Sequence, residues 1–282
     1  MLPRPTAKVS REAAGRGSIG VFSAHSAFSA RNRPRPLREN CLVSDTPDKT
    51  PARIADMFDA IAPRYDFLNH VLSAGLDRGW RNRAVEALAL PANARVLDVC
   101  TGTADLAMAT VAHARGASVV GVDFAGEMLR LGVVKIRRAS LERQVHFVRG
   151  DAASIPIVDA SCDAATIAFG IRNVAEPERA LAEIARVLKP GGRLAILEFG
   201  QPSIPGIRTL YSWYFRQVLP RIGRLISRHQ SAYAYLPASV GTFPAPSAFA
   251  ATLTATGFSH VRTVPLTLGI VYLFVAERRS SG

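Results

Sequence analysis

Apolar positions along this chain follow two different periods. Between residues 52 and 90 they recur at helical spacing, with Ile54, Met57, Phe58 and Ile61 on one face. Pro63 is expected to break that helix, because proline lacks an N–H and crowds the preceding turn. A second helical stretch is expected from about Gly79 to Leu88, closed by Pro91. From Arg95 onward, short apolar runs alternate with helical segments. The predicted strands are Val96–Cys100, Val119–Val122, Val145–Val148, Asp163–Ala168 and Arg193–Glu198. Between them fall predicted helices over Asp105–His113, Gly126–Arg138 and Pro177–Leu188. The last carries Ala180, Leu181, Ile184 and Leu188 on one face, and Lys189-Pro190-Gly191-Gly192 is expected to stop it. Val261–Val264 and Val271–Ala276 add two strands, read as a hairpin at the sheet edge. Such alternation predicts an α/β fold, a doubly wound and mostly parallel sheet with helices on both faces.

Composition agrees with one sizeable core: 48% of the 282 residues are hydrophobic and 20% charged, which excludes a mostly disordered chain. No apolar run reaches the roughly 18 residues of a spanning helix. Cys41, Cys100 and Cys162 lack the spacing of a disulfide framework or a zinc site, so no metal is expected and a reducing compartment is preferred. The net charge of +13 is uneven, because residues 1–38 hold seven arginines and one lysine against Glu12. A basic head is weak evidence for nucleic acid, and no nucleic-acid motif accompanies it. Residues 1–45 are read as a disordered Arg- and Ser-rich extension, and 46–282 as the functional domain. The head's composition fits an organelle transit peptide or an upstream extension without function. The expected location is cytoplasmic with membrane association, or a plastid or mitochondrion if the head is a transit peptide.

The segment Val96-Leu97-Asp98-Val99-Cys100-Thr101-Gly102-Thr103-Ala104-Asp105 is a strand, a loop of small residues and a helix start. Small residues let the backbone approach a ligand, and helix amides face it. Asp123 ends the next strand, where an acid accepts hydrogen bonds from two ribose hydroxyls. The loop lacks the three spaced glycines that make room for a pyrophosphate, which favours S-adenosylmethionine over a dinucleotide. Gly150-Asp151-Ala152 follows the third strand, where a polar side chain can hold the adenine amine. Asp98 and Gly102 complete the set of candidate cofactor contacts.

Three further segments carry a resemblance. They are Tyr65-Asp66-Phe67-Leu68-Asn69, Gly170-Ile171-Arg172-Asn173, and Tyr233-Ala234-Tyr235-Leu236-Pro237-Ala238-Ser239. Together they resemble the ubiquinone/menaquinone biosynthesis C-methyltransferase family, from about residue 53 to 278. The resemblance implies a seven-stranded class I methyltransferase fold. It implies S-adenosyl-L-methionine as methyl donor and a prenylated quinol as acceptor: demethylmenaquinol first, 2-methoxy-6-polyprenyl-1,4-benzoquinol as the alternative. Carried over by motif position, Thr103, Asp123, Asp151 and Ala152 contact the donor. Ala168 stands where many relatives have serine, and Ala104 where a glycine is common.

For the chemistry, a ring carbon becomes nucleophilic when a neighbouring hydroxyl ionises. Arg172 is a candidate to stabilise the phenolate, and Asn173 to orient the hydroxyl. Tyr65 and Asp66 come from the N-terminal helices over 52–90, read as a lid, with Asp66 a candidate base through water. His229 and Tyr233 are further candidates, from an insertion over 203–245. Between Glu198 and Glu277 there is no acid, while Arg208, Arg216, Arg221, Arg224, Arg228 and Arg262 lie there. Ile207, Leu210, Tyr211, Tyr214 and Val218 recur at helical spacing beside them. An apolar face beside arginines suits an anionic membrane surface, placed at 203–230. A homo-oligomeric interface is the plainer use of the same face. Rival readings are a class I methyltransferase for another aromatic or sterol-like acceptor, an inert scaffold of a quinone-biosynthesis complex, and a nicotinamide reductase.

Overall fold

The computed structural model describes residues 49–202, 204–218, 221 and 230–280. The expected disordered head and His229 lie outside the described residues. Two helices, α1 (Pro51–Leu72) and α2 (Leu76–Leu88), precede an alternation of strands and helices. The strands are β1 (Arg95–Val99), β2 (Ser118–Asp123), β3 (Val145–Arg149), β4 (Cys162–Ala168) and β5 (Leu188–Phe199), then β6 (Phe258–Leu266) and β7 (Val271–Arg278). Helices α3 (Asp105–His113), α4 (Gly126–Arg138) and α5 (Pro177–Val187) lie among the first five strands. Between β5 and β6 come α6 (Pro205–Trp213), continued by a wider turn over Tyr214–Val218, then α7 (Gln230–Thr242) and α8 (Pro246–Ala255). No helix among the described residues is long and apolar enough to cross a membrane.

The seven strands form one sheet in the order β3-β2-β1-β4-β5-β7-β6. Pairings from β3 to β5 are parallel, and β7 runs antiparallel to both β5 and β6. This is the doubly wound α/β sheet that the strand–helix alternation predicts, with the seven strands that the family resemblance implies. Successive strand residues serve opposite faces: Leu97 and Val99 join the core with Leu181, Ile184, Phe249 and Phe274, whereas Val96 joins Trp80, Leu88, Ile136 and Val275. A sheet buried on both faces needs such near-continuous apolar strands.

Topology places the site. The chain winds outward from β1 to β3, then returns to β4 on the other side of β1. At that reversal the loops after β1 and β4 diverge and leave a crevice at the strands' carboxyl ends. At their base, before they part, the two loops touch: a Cβ on Gly170 would stand 2.4 Å from the Cβ of Cys100. Only glycine allows that approach.

Two expectations change. Pro63 lies inside α1, which runs unbroken from Pro51 to Leu72. The turn is held from outside, since Asp59 accepts the Glu127 N–H at 2.8 Å and Asp66 binds Lys135 at 2.7 Å. Lys189–Gly192 does not separate a helix from a strand. It forms an irregularity inside β5, where register moves from Cys162↔Leu188 to Ala164↔Arg193.

Candidate active site

The donor side is a cradle built by backbone geometry. Cys100, Gly102 and Ala104 all take left-handed φ, at 55°, 56° and 71°, so the chain turns sharply from β1 into α3. Beside Gly102 the space is open, with no atom within 4 Å of where a Cβ would stand. Asp123 faces this loop: Oδ2 accepts the Gly102 N–H at 2.8 Å and Oδ1 the Ala125 N–H at 2.9 Å. Burial pushes its carboxyl pKa up, and those amides pull it back. Each carboxylate oxygen keeps a second acceptor site, so ribose hydroxyls can still bind there. Asp151 accepts the Ala153 N–H at 2.9 Å and shapes the turn that buries Ala152. Ala168 ends β4 on the same edge of the sheet. The open space at Gly102 and the residual acceptors of Asp123 fit a donor carrying a ribose.

Asp98 is placed differently from the expectation. It is 1% exposed, accepts Thr101 Oγ1 at 2.6 Å and Thr166 Oγ1 at 2.7 Å, and ties the loop to β4. Burial, offset by those hydroxyls, pushes its pKa up to about 6. Its carboxylate supports the loop and does not reach the open side.

Beside the cradle lies a cavity of about 450 Å³. Met57, Phe58 and Ile61 of α1 and Ile207 of α6 give it apolar walls. One wall is aromatic, with Trp80 6.0 Å from Phe169 and 6.5 Å from Phe199, and Phe169 4.6 Å from Phe199 between ring centroids. The Trp80 indole donates to Thr267 Oγ1 at 2.8 Å, fixing that wall to the β6–β7 turn. Arg172 lines the cavity and is 7% exposed. Its Nη1 donates to Glu198 Oε1 at 2.7 Å and to the Phe169 carbonyl, and its guanidinium sits 5.4 Å over the Phe199 ring. Its buried Nε and the buried Oδ1 of Asn173 have no partner among the described residues. Tyr65 lines the same cavity, and burial pushes its phenol pKa up, so it stays a neutral donor.

Asp66 stands elsewhere. It is the acceptor for Thr103 Oγ1 at 2.5 Å and for Lys135 Nζ at 2.7 Å, away from the cavity lining. That position ties α1 to the donor loop and sets Asp66 apart from the residues that line the cavity. From Lys135 the charges continue through Asp105 to Arg81 and then Asp77. Tyr233 lies on α7, whose Tyr235 and Leu236 line the cavity. Sequence reasoning missed Glu198, Trp80, Arg81 and Lys135. The one legible signal was Glu198, an acid closing the apolar strand Leu194–Leu197.

With this geometry in hand, likeness to known proteins decides the family. The profile of the ubiE/COQ5 methyltransferase family matches residues 47–278. The chain belongs to that family. It is 50% identical over 226 residues to the ubiquinone/menaquinone biosynthesis C-methyltransferase UbiE of Syntrophotalea carbinolica, covering 80% of this chain and 94% of that one. It is 49% identical to the demethylmenaquinone methyltransferase of Thermus thermophilus, covering 79% of this chain and all of that one (100%). A demethylmenaquinone methyltransferase of Deinococcus radiodurans is 45% identical over 252 residues, 89% of this chain and 100% of its own. Among solved structures, a SAM-dependent methyltransferase of Thermotoga maritima aligns with TM-score 0.56 at 19% identity, over 80% of this chain and 100% of that one. The [4+2]-cyclase SpnF aligns with TM-score 0.55 at 19% identity, over 84% and 98%. Those structures speak for the fold alone, and a cyclase on the same frame shows why. The family makes the chain an S-adenosylmethionine-dependent methyltransferase.

Proposed function

We propose that this enzyme C-methylates a prenylated hydroquinone, with demethylmenaquinol as the acceptor converted to menaquinol. One observation carries the reading: a deep apolar cavity with an aromatic wall ends at a buried, carboxylate-anchored arginine beside the donor cradle. A flat ring fits the wall, and an ionising hydroxyl fits Arg172. The names of the Thermus and Deinococcus relatives support the naphthoquinol over the benzoquinol.

In this reading Thr103, Asp123, Asp151, Ala152 and Ala168 hold the donor. Bound S-adenosylmethionine supplies an electrophilic methyl on a sulfonium. The chain's task is to align a ring carbon with it and to raise that carbon's electron density. A phenol has a pKa near 10. A guanidinium beside its oxygen favours the ionised form and opposes the rise that burial imposes on phenols in this cavity. Arg172 stabilises the phenolate as it forms, and the proton leaves to solvent. Glu198, fully buried, keeps the guanidinium in one pose and holds its charge partly in check. Tyr65 and Asn173 supply hydrogen bonds to the hydroxyl.

The tail needs a way out. Leu76, Leu210 and Trp213 line the cavity while remaining 47%, 64% and 55% exposed. Leu268, 61% exposed, sits beside cavity-lining Thr267. Arg78, Arg208 and Arg221 are exposed nearby in sequence. This rim is proposed to rest on an anionic lipid surface, from which the tail enters.

The test is Arg172→Gln against wild type, with donor affinity followed by titration with S-adenosylhomocysteine. Turnover should fall at least about 100-fold, as for loss of an oxyanion donor, and the alkaline rise in rate should move to higher pH. An unchanged pH profile would remove Arg172 from the reaction.

A further inference from the structure

Among the described residues lining the cavity, ionised side chains stand at two places. Arg172 is one. The other is Arg81 with Asp77, both on α2, 7% and 5% exposed. Such a pair at i, i+4 on a helix ordinarily lies in solvent, where it costs little. Here it is buried against an apolar cavity, and desolvating two charges costs several kcal/mol per ion unless other groups satisfy them. The surroundings do hold the pair. Arg81 Nη1 donates to Asp77 Oδ2, and its Nη2 meets Asp105 Oδ2 at 3.3 Å. Asp77 Oδ1 accepts Ser73 Oγ at 2.8 Å and faces His70 Nδ1 at 3.2 Å. Burial pushes the Asp77 carboxyl up, but hydrogen bonds from Arg81 and Ser73 outweigh it and hold the pKa low. Those two ion pairs leave other N–H groups of the five on Arg81 unspent.

Both places line the cavity that also holds the Trp80, Phe169 and Phe199 rings. Trp80 is the chain neighbour of Arg81, and Phe199 lies under the Arg172 guanidinium. Arg172 and Arg81 line the same cavity, so a flat ring whose reacting hydroxyl lies at Arg172 has a second buried guanidinium within the same walls. We infer that Arg81 binds the ring oxygen para to the one at Arg172, with Asp77 as its positioning residue. The proposal rests on the hydroquinone reading and deepens it. Two oxygens held at opposite poles fix the ring in its plane. That decides which carbon meets the methyl group, and it makes the acceptor class a 1,4-diol rather than any phenol.

The experiment compares two acceptors bearing the same short prenyl tail. One is the reduced 1,4-naphthalenediol, and the other has hydrogen in place of the hydroxyl para to the reacting one. The intrinsic electronic effect of that hydroxyl is common to every enzyme variant and cancels when preferences are compared. Wild type should favour the diol in kcat/KM by about 10- to 100-fold, the usual worth of a hydrogen bond to a charged group. Arg81→Lys and Arg81→Gln should lose most of that preference, and Asp77→Asn part of it. Arg172→Gln should slow both acceptors alike and keep the preference. Binding of S-adenosylhomocysteine reports that each variant is folded, and the lysine variant carries the test if the glutamine variant is not. A diol preference unchanged in folded Arg81→Lys would overturn the proposal while leaving the hydroquinone reading intact. Failure of wild type to methylate either acceptor, with donor binding intact, would overturn both.

Discussion

Single residues in this protein carry opposing demands of ligand and fold. Asp98 is an acid that forms no ion pair among the described residues and is held by two hydroxyls in the sheet interior. Its pKa rises from 3.8 to about 6 on folding, so the folded state binds the proton more tightly than the unfolded one. Its contribution to stability is therefore best at low pH and worsens as pH rises from about 4 to 6. At neutral pH the penalty is on the order of 2–3 kcal/mol, since one unit is worth about 1.4 kcal/mol. Asp98→Asn should accordingly gain on wild type as pH rises through that window, as read from denaturation midpoints at pH 4 and pH 7. A constant difference would contradict the assignment. Ala104 is a second case: it is wholly buried at φ 71°, where a side chain costs about 1–2 kcal/mol. Ala104→Gly should raise the melting temperature by about 2–4 °C per kcal/mol recovered. The sequence named Ala104 as a departure from the family's glycine but could not show that the backbone still adopts the glycine conformation. Glu198 shows the converse, a residue whose place at a strand end is legible but whose partner is not. An acid ending a strand is ordinary until the fold brings Arg172 across from it.

At the scale of elements, the first five strands and the helices between them lie where apolar spacing puts them, with ends shifted by one or two residues except at β5. Alternation is a local signal, and α3 and α4 match it residue for residue. The continuity of α1 was not legible. Proline's local cost at Pro63 is overridden by contacts 60 to 70 residues away in sequence, which no local pattern records. The same contacts make α1 a cover held by charge. Asp66 bridges Thr103 and Lys135, so removing its charge should loosen the helix at the donor loop. Asp66→Ala is expected to speed proteolysis and amide exchange within residues 51–72 and to raise KM for the donor, with the sheet's exchange unchanged. Equal protection of α1 in wild type and variant would show that apolar packing alone holds it.

For the whole molecule, the topological reversal between β1 and β4 brings together loops that sequence reasoning could only place on separate strands. The donor loop, Asp123 and the Gly170–Asn173 turn were legible as motifs. The cavity was not, because α1, α2, α6 and α7 each supply only one side of it. Its rim gives the lipid prediction. Leu210→Ser combined with Trp213→Ser should abolish flotation with anionic vesicles at low salt while sparing turnover of a short-tailed acceptor. Flotation unchanged in that variant would take the contact away from α6. The central claim, methyl transfer to a hydroquinone ring carbon, is tested most directly by mass spectrometry. Purified protein and S-adenosylmethionine would be mixed, separately, with reduced demethylmenaquinone and with the reduced methoxy-polyprenyl-benzoquinone precursor. The account predicts a gain of one methyl on the demethylmenaquinol, whereas methylation of neither quinol by protein that still binds S-adenosylhomocysteine would contradict it.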